Sequence, residues 1–368
     1  MRLFIVCILF IGFYSCKIEE PIKVRNISKV QIESLLQDSI LNVRAIEISN
    51  NRIWFAGSDG YTGNWNLLEL DSLVNGSNVF KRYEELTHNY DGNIFRNMNS
   101  DTTGYELRGI KKNDDALFTI TAGSPAILTK YNSNNREIVY QENHPKAFYD
   151  SMDFWNDQEG IAIGDPTEDC MSIIITRDGG ETWTKLSCDD LPKAKEGEAA
   201  FAASDTNIAI VGDHTWVATG GKASRVMYSP DRGKTWEVYE TPIIQGVETT
   251  GIYSIDFYDD NIGFAIGGDY TKPNDALSNK IRTSDGGKTW QVVANGKGPG
   301  YRSCVQYIPN SRGKELVAVG FKGIDYSNNS GDTWKHLSDE GFYTIRFLND
   351  SVAYAAGKGR ISKLTFSE

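Results

Sequence analysis

The chain has 368 residues, with 38 Lys and Arg against 49 Asp and Glu, which gives a formal net charge of −11 at pH 7. This charge would repel a phosphate backbone and no basic cluster offsets it, so a nucleic-acid partner is not expected. The length exceeds a single compact core, and 35 glycines without long apolar helical stripes favour an all-β fold of many short strands.

The first sixteen residues, MRLFIVCILFIGFYSC, predict an exported protein. One arginine, an apolar run and a small residue before Cys16 are typical of a secretory signal, so we expect residues 1–15 to be removed. The small residue directly before the cysteine resembles the lipobox of bacterial lipoproteins, which implies lipidation of Cys16 and makes residues 16–23 a tether. The KIEE that follows resembles an acidic export tag. We therefore expect an outer-membrane or cell-surface lipoprotein that meets the membrane only through its anchor, with the periplasm as the alternative.

Two linked patterns recur along the rest of the chain. Seven short apolar segments are each followed by a second apolar segment that ends in glycine. The first segments are VRAIEI, LRGI, YDSMDF, EAAFAA, IYSIDF, RSCVQY and YTIRF, and the glycines are Gly57, Gly123, Gly164, Gly212, Gly267, Gly320 and Gly357. We interpret each pair as the innermost and second strands of a propeller blade, with glycine permitting a tight bend and close backbone approach where blades converge.

The last unit, FYTIRFLNDSVAYAAGKGRISKLTF, supplies only three strands before Glu368. Residues 24 to 34 alternate apolar and polar, and we predict that they complete the last blade as its outer strand. Such closure joins the chain ends and leaves no open ring edge. The sequence therefore predicts a single seven-bladed β-propeller of four-stranded antiparallel blades over residues 24–368, as a monomer. Six blades with a decorated N-terminus is the alternative.

Four polar insertions are uneven in length. They are THNYDGNIFRNMNSDTTG at 87 to 104, DPTEDCM after Gly164, DHTWVATGGKASR after Gly212, and DYTKPNDALSNK after Gly268. In a propeller, the loop after the second strand and the loop that enters the next blade emerge on the same face. The insertions therefore predict one loop-rich face, where binding is expected.

A turn motif recurs four times, as TRDGGETW at 176, SPDRGKTW at 229, TSDGGKTW at 283 and SNNSGDTW at 327. The spacings of 53, 54 and 44 residues match one four-stranded blade, and a β-type run precedes each copy, so each copy predicts a hairpin turn. The Ser or Thr and the Asp can bond backbone amides, the glycine can adopt positive φ, and the Trp can pack between blades. We assign this structural role to Asp178, Gly180, Trp183, Asp231, Gly233, Trp236, Asp285, Gly287, Trp290 and Trp334.

Three cysteines remain beyond the signal. Cys170 and Cys188 flank the first turn motif symmetrically about Gly179, so in a hairpin they would lie opposite each other, and we predict a cross-strand disulfide in the exported protein. Cys304, within SCVQY and with no histidine nearby, predicts a buried inert thiol.

The S/T-x-D-x-G-x-T-W pattern resembles the Asp-box, or bacterial neuraminidase repeat, of sialidases, sortilin-type receptors and xyloglucan-cleaving propellers. With a preceding LRAI-like strand and an A-x-G turn, as in VRAIEI and WFAG, the chain is most similar to the photosystem II stability/assembly factor-like propellers, which are seven-bladed. The resemblance covers residues 24 to 368. It implies the fold and places the boxes away from any active site, but it specifies no activity.

Aligning the seven inner strands gives one column near the loop-rich face: Arg44, Arg108, Asp150, Glu198, Tyr253, Arg302 and Tyr343. Three arginines, two carboxylates and two tyrosines around one channel resemble a sialidase site in kind, where arginines clamp a carboxylate and a tyrosine activated by glutamate attacks. The Phe-Arg-Ile-Pro signature of sialidases is absent, IFRN at 94 to 97 being the nearest approach, and sialidases have six blades. The open alternatives are structural charge pairing, binding of a small anion or peptide, and glycoside hydrolysis. A one-residue register slip would turn the column into the blade.

No HExxH, CxxC, phosphate-binding loop or dinucleotide fingerprint occurs, so neither a metal nor another cofactor is predicted. The function expected from the sequence is a binding or assembly module that works through the loop-rich face, with a protein or an anionic or glycan ligand as partner. A sialidase-type extracellular glycoside hydrolase is the alternative.

Overall fold

A computed structural model describes residues 24–67, 94–95, 105–132 and 135–368. The predicted signal peptide, the lipidation site Cys16, the tether and most of the insertion at 87 to 104 lie outside the described residues. Within the described residues there is no helix with the length and hydrophobicity that a membrane span requires.

The described residues form short strands in chain order, with one 3-10 turn at Ser58–Gly60 after the second strand. The strands are β1 (Lys29–Ser49), β2 (Arg52–Gly57), β3 (Thr62–Asn66), β4 (Ile94–Phe95), β5 (Glu106–Lys112), β6 (Leu117–Ala122), β7 (Ala126–Tyr131), β8 (Arg136–Glu142), β9 (Tyr149–Phe154), β10 (Gly160–Gly164), β11 (Ser172–Thr176), β12 (Thr184–Lys185), β13 (Glu198–Ala199), β14 (Ile208–Val211), β15 (His214–Ala218), β16 (Gly220–Gly221), β17 (Arg225–Ser229), β18 (Glu237–Glu240), β19 (Thr250–Phe257), β20 (Gly263–Asp269), β21 (Lys280–Thr283), β22 (Gln291–Val292), β23 (Cys304–Tyr307), β24 (Leu316–Gly320), β25 (Gly323–Ser327), β26 (Lys335–Ser338), β27 (Thr344–Phe347) and β28 (Val352–Ser367).

The strands pair into six antiparallel sheets. The closing sheet has the order β27-β28-β1-β2-β3-β4. The second sheet is β5-β6-β7-β8, the third is β9-β10-β11-β12, and the fourth is β14-β15-β17-β18. The fifth sheet is β13-β16-β19-β20-β21-β22, and the sixth is β23-β24-β25-β26.

These sheets form a closed β-propeller, which confirms the predicted all-β fold of four-stranded antiparallel blades. The strands β1, β5, β9, β14, β19, β23 and β27 contact one another in that order, and β27 contacts β1 again. The closing sheet supplies two of these seven strands. Middle strands such as β10 and β24 are buried along their whole length because neighbouring sheets cover both faces.

The prediction of seven blades is wrong, because the strands pair into six sheets. The six-bladed alternative matches this number. The reason is that β1 runs for 21 residues without a break. Its first part pairs with β28, from Lys29 opposite Ser367 to Asn42 opposite Lys358, and its last part pairs with β2. The first and last repeat units therefore share one six-stranded sheet. The pairing of β1 with β28 is the closure by an N-terminal strand that the alternating pattern predicts.

The fourth repeat unit is also assigned differently by the structure. EAAFAA contributes only the two-residue strand β13, whereas the predicted second strand, IAIV, is the inner strand β14. Gly212, with φ 60°, lies in the turn between β14 and β15 rather than at the end of a second strand. The insertion predicted after Gly212 contains strand β15, in which Trp216 is fully buried.

Candidate functional site

Several inner strands carry one extra residue near their start. In β1, Val43 pairs with Gly57 and Ala45 with Ala56, so Arg44 lies opposite no partner of its own. The same register shift falls on Arg108 in β5, Asp150 in β9 and Tyr253 in β19. A bulge of this kind re-aims a side chain and is common beside functional sites. Four of the seven residues in the predicted column thus share one structural position.

The recurrent glycines make these bulges possible. A Cβ atom on Gly267 would lie 1.9 Å from the carbonyl oxygen of Gly251, and one on Gly164 would lie 2.3 Å from that of Phe148. Each of these carbonyls precedes the bulged residue of the facing inner strand by two positions. At these two positions only glycine lets the inner strand approach so closely, whereas a Cβ on Gly123 or Gly212 would meet no atom beyond its chain neighbours within 4 Å.

Two arginines meet at this end of the channel. The guanidinium carbon of Arg44 lies 4.1 Å from the centre of the Tyr343 ring. The hydrogen bonds of the two arginines are long, 3.4 Å from Arg44 to the Ala203 carbonyl and 3.5 Å from Arg108 to the Ala202 carbonyl. Burial, followed by the neighbouring charge of Arg44, lowers the pKa of Arg108. Both Nε–H groups are buried and have no acceptor among the described residues, so this cationic pair has unused donors.

Asp150 lies beside the arginine pair and is fully buried. Neither of its carboxylate oxygens accepts a well-formed hydrogen bond. Burial raises the pKa of Asp150 well above its ordinary value, the charge of Asp165 adds to the rise, and Arg108 opposes it. Burial also raises the pKa of Asp165 to about 6, although its Oδ1 accepts the Ala200 N–H at 2.8 Å. Burial therefore shifts Asp150 towards the neutral acid.

We call Arg44, Arg108, Asp150 and Tyr343 the mouth cluster. An aromatic patch adjoins it, because the charge of Arg44 also acts on Tyr301. Tyr253 stacks on Phe201 with ring centres 4.1 Å apart and meets Tyr301 edge-on at 4.8 Å. Tyr270 and Phe321, which continue the patch, are 48% and 41% exposed. Of these aromatic residues the sequence pattern selected only Tyr253, since the others lie outside the aligned column.

The other two members of the column lie elsewhere. Glu198 is buried in a bidentate pair with Arg225, with an Nη2–Oε2 distance of 2.5 Å, and lies in the fifth sheet rather than at the channel mouth. Arg302 pairs with Asp325 of its own sheet at 2.5 Å. Val319 pairs with Cys304, and its carbonyl oxygen also accepts the Ser303 N–H. The position predicted for Arg302 is therefore occupied by Ser303.

This one-residue slip turns Arg302 into the blade. The arginine triad and the tyrosine–glutamate pair required for sialidase-type chemistry are therefore not assembled from these residues.

A second charged layer, which the sequence reasoning missed, lies three residues further along most inner strands. It surrounds a cavity of about 260 Å³, and we call it the channel ring: Glu47, Lys111, Asp153, Asp205, Asp256, Gln306 and Arg346. Lys111 bonds Glu47 at 2.9 Å and approaches Asp153 at 3.3 Å. Arg346 donates to the Asp205 carbonyl at 2.9 Å. Lys111 thus bridges two carboxylates of the ring, which is the structural charge pairing that the sequence analysis considered for the mouth column.

The four turn motifs share hydrogen bonds within their own hairpins. In each, the first hydroxyl accepts the N–H of the glycine four residues on, at 2.7 to 3.0 Å. Asp178 accepts both the N–H and the hydroxyl of Thr182, and the hydrogen bonds lower its pKa although burial acts the other way. The corresponding acceptors in the other copies are Asp231, Asp285 and Asn329. The geometry gives these residues a local structural role.

Two further cysteine observations bear on the fold. Cys170 and Cys188, on either side of the first turn motif, are joined in a disulfide with Cα atoms 5.4 Å apart. Cys304 is a free thiol and is fully buried. Among the residues that the structure describes, no group of three His, Cys, Asp or Glu side chains is placed to hold a metal ion.

The closed ring of sheets defines the chain as a β-propeller. No protein-family model matches the sequence, and no curated protein matches it. The fold is similar to that of YCF48 bound to D1 peptide, with a TM-score of 0.61, 12% identity, and coverage of 93% of this chain and 98% of that one. It is also similar to YCF48 from Cyanidioschyzon merolae, with a TM-score of 0.60, 12% identity, and coverage of 92% and 99%. The RRP9 WD40 repeats match with a TM-score of 0.60 at 9% identity, covering 93% and 99%. At these identities the similarity shows the fold alone.

Proposed function

We propose that this protein is a binding module that holds a protein partner at its loop-rich face, where the mouth cluster grips a carboxylate of that partner. The observation that carries the proposal is the pair formed by Arg44 and Arg108. Two adjacent guanidinium groups repel each other, and within the described residues Arg44 has no carboxylate within 4 Å, while Arg108 has only Glu106 at 3.6 Å. An anion between the two would relieve the repulsion and occupy the unused donors.

The other groups at the mouth suit the same ligand. Burial shifts Asp150 towards the neutral acid, so this residue competes less with a ligand carboxylate for the two arginines. The aromatic patch of Phe201, Tyr253 and Tyr301 offers apolar area for the residue that carries the carboxylate, with the exposed Tyr270 and Phe321 at its edge. The structure titled YCF48 bound to D1 peptide supports a peptide as the kind of partner that a propeller of this shape can hold.

The test uses the full chain and three probes: N-acetyl-Phe-Gly with a free carboxylate, its C-terminal amide, and N-acetyl-Phe-Glu-amide. Calorimetric titration should show binding of the first probe at least tenfold tighter than of its amide, because charge-assisted hydrogen bonds contribute about 1.5–3 kcal/mol each. The third probe distinguishes a side-chain carboxylate from a chain terminus as the group recognised. Equal binding of the acid and both amides would refute the proposal.

A double variant and a matched control locate the binding. Arg44→Gln with Arg108→Gln should weaken binding of N-acetyl-Phe-Gly at least tenfold. Arg136 lies over the ring of Tyr131 with its guanidinium carbon 6.0 Å from the ring centre, on the outer strand β8 far from the channel. Arg136→Gln therefore changes a similar arginine–tyrosine contact and should leave the affinity unchanged. An equal loss in both variants would contradict the assignment to the mouth.

We also propose that the protein is exported and anchored by a lipid on Cys16. The apolar N-terminal run supports this, as does the disulfide between Cys170 and Cys188, because disulfides persist in oxidising compartments. Cys16→Ala should move the protein from the membrane fraction to the soluble fraction of the envelope. An unchanged membrane fraction would refute lipidation at this residue.

The turn motifs fit this proposal as Asp-boxes, in the manner of the photosystem II stability/assembly factor-like propellers. The support is the repeated hydrogen bonding of Asp178, Asp231 and Asp285 within their own hairpins. On this assignment the boxes fasten the blades, and the carboxylate is recognised at the mouth cluster, away from the boxes.

A further inference from the structure

A groove opens between the third and fourth sheets, at the turn-motif end of the blades. Its apolar wall is formed by Ile175, Leu186 and Trp236, and its rim includes Thr184, Asp190 and Lys234. The cavity measures about 470 Å³, within the range of pockets that hold small ligands. The groove lies away from the mouth cluster, because Ile175 pairs with the start of β10 whereas Gly164, at its other end, faces the Asp150 bulge.

The groove occurs where one blade junction departs from the other three. At those three, the glycine of the turn motif lies on an aromatic ring of the preceding sheet: Gly180 on Phe118, Gly287 on Trp216 and Gly331 on Phe264. Each of these rings is on a second strand and pairs with a residue of the inner strand. The paired residues are Lys111 for Phe118, Ala209 for Trp216 and Asp256 for Phe264. In the third sheet the corresponding residue is Ile161, opposite Asp153. Gly233 lies against Ile175 instead, and a ring atom of Trp155 would be 3.4 Å from a Cβ at Gly233.

The tryptophans of the turn motifs show the same departure. Trp183 packs on Phe154 with ring centres 5.7 Å apart, Trp290 on Phe257 at 6.0 Å, and Trp334 on Phe264 at 5.8 Å. Trp236 is half-buried, and no other ring of the described chain stacks on it or meets it edge-on. Its indole thus lines the groove without the aromatic neighbour that the other three copies have.

We propose that this groove receives an aromatic side chain of a protein partner. The entering ring would pack on Trp236, Ile175 and Leu186. It would give Trp236 the ring contact that the tryptophans of the other three motifs already have. Aromatic side chains are the usual anchors of protein interfaces, because they bury a large area and pair well with other rings. Lys234 and Asp190 are exposed at the rim, where they can contact the backbone that carries the ring. This surface is separate from the mouth and does not depend on carboxylate binding.

The test follows the indole N–H signal of Trp236 by NMR in the full chain labelled with ¹⁵N-tryptophan. This N–H donates to the Gly233 carbonyl at 3.2 Å, and Trp236→Phe assigns its signal by removing it. Titration with N-acetyl-tryptophanamide should shift the signal saturably. N-acetyl-leucinamide, which has the same backbone but no ring, should bind at least fivefold more weakly.

A blocking variant and a matched control complete the design. Thr184 is exposed on the outer strand at the groove, so Thr184→Trp should fill the groove with its own ring and abolish the shift. Gln291 follows Trp290 as Thr184 follows Trp183, and Gln291→Trp should leave the titration unchanged. The remaining indole signals report whether each variant is folded, and if Thr184→Trp is not folded, the contrast between the two amides in the unaltered chain decides.

Several results would overturn the proposal. They are equal binding of the leucine and tryptophan amides, no shift at Trp236, an undiminished shift in folded Thr184→Trp, and a shift with free indole or methyl glucoside but not with the tryptophan amide. The last result would indicate a free aromatic compound or a sugar instead of a protein segment.

Discussion

Asp205 joins three blades at the channel, and its replacement by asparagine is a sharp test of the electrostatics there. Its two carboxylate oxygens accept the N–H groups of Ile110 and Met152, each at 3.1 Å, from the second and third sheets. The side chain is only 5% exposed. Burial raises its pKa from 3.8 to about 7, although Arg346, Lys111 and the two N–H groups oppose the rise. The φ of 57° at this residue suits asparagine as well as aspartate, so Asp205→Asn adds no backbone strain.

The sign of the pH dependence follows from the raised pKa. The folded protein holds the Asp205 proton more tightly than the unfolded chain does, so this group reduces stability as the pH rises from about 4 to 7. At 1.36 kcal/mol per pKa unit, the free energy of unfolding falls by about 3 kcal/mol between pH 4.5 and pH 8 on account of this residue. Asparagine does not titrate and escapes this loss. Its NH₂ group also cannot accept an N–H, as the hydroxyl oxygen of the neutral acid can, which costs about 1–3 kcal/mol relative to the neutral acid.

The assay is urea denaturation followed by tryptophan fluorescence at pH 4.5, 6 and 8. Asp205→Asn should be less stable than the unaltered chain at pH 4.5, and should gain about 3 kcal/mol relative to it by pH 8. Asp115→Asn, at an exposed turn position, should show a constant difference. A difference for Asp205→Asn that stays within about 1 kcal/mol across this range, or that grows with pH, would show that burial does not govern this carboxyl group.

Two further predictions concern the scaffold. Replacing Cys170 and Cys188 by alanine should lower the free energy of unfolding by about 3 kcal/mol, the chain-entropy value for a closed loop spanning 18 residues. A reductant should lower the thermal midpoint of the unaltered chain and not that of the variant, and equal sensitivity would exclude a stabilising bridge. Gly267→Ala should destabilise by about 3 kcal/mol or more because its Cβ would strike the Gly251 carbonyl. Gly298→Ala, with no atom within 4 Å of its Cβ, should stay within about 0.5 kcal/mol, and similar losses in both would contradict the close-approach argument.

The parts of the fold that the sequence predicts are those set by local geometry. The turn motif is recognisable because its hydroxyl, carboxylate and glycine are all used within one hairpin, as at Thr176, Asp178 and Gly180. The terminal glycine of the second segment is recognisable where a backbone contact forbids any side chain, as at Gly164 and Gly267. The alternation in residues 24 to 34 predicts a strand because one face of that strand must lie against the core, as Val30 and Ile32 do.

The parts that sequence reasoning missed depend on register and on continuity between units. EAAFAA has the composition of an inner strand, yet IAIV takes that place and EAAFAA supplies only the two-residue strand β13. Arg302 and Ser303 differ by one position, and nothing local marks which one lies at the bulge. The number of sheets depends on hydrogen bonds that continue along β1 and β28, and these leave no trace in the repeat pattern.

The candidate site was likewise predicted only in part. The bulged positions at Arg44, Arg108, Asp150 and Tyr253 were found because they occupy one column of a repeat. The aromatic patch and the channel ring were not found, because their members come from different columns and from loops. The signal that could have revealed the ring is the run of charged residues three positions after each bulge, from Glu47 through Lys111 and Asp153 to Asp256 and Arg346.

The pairing of β1 with β28 also constrains the order in which the molecule can be completed. Val30 bonds opposite Phe366, so almost the entire polypeptide separates two neighbours in one sheet. Contacts of such high sequence separation form slowly, because the entropy cost of closing a long loop comes before the contacts that offset it. During synthesis or translocation from the N-terminus, the first part of β1 has no partner strand until β28 has emerged. A chain interrupted before residue 358 would therefore keep two exposed strand edges, which proteases and chaperones can recognise as the mark of an unfinished ring.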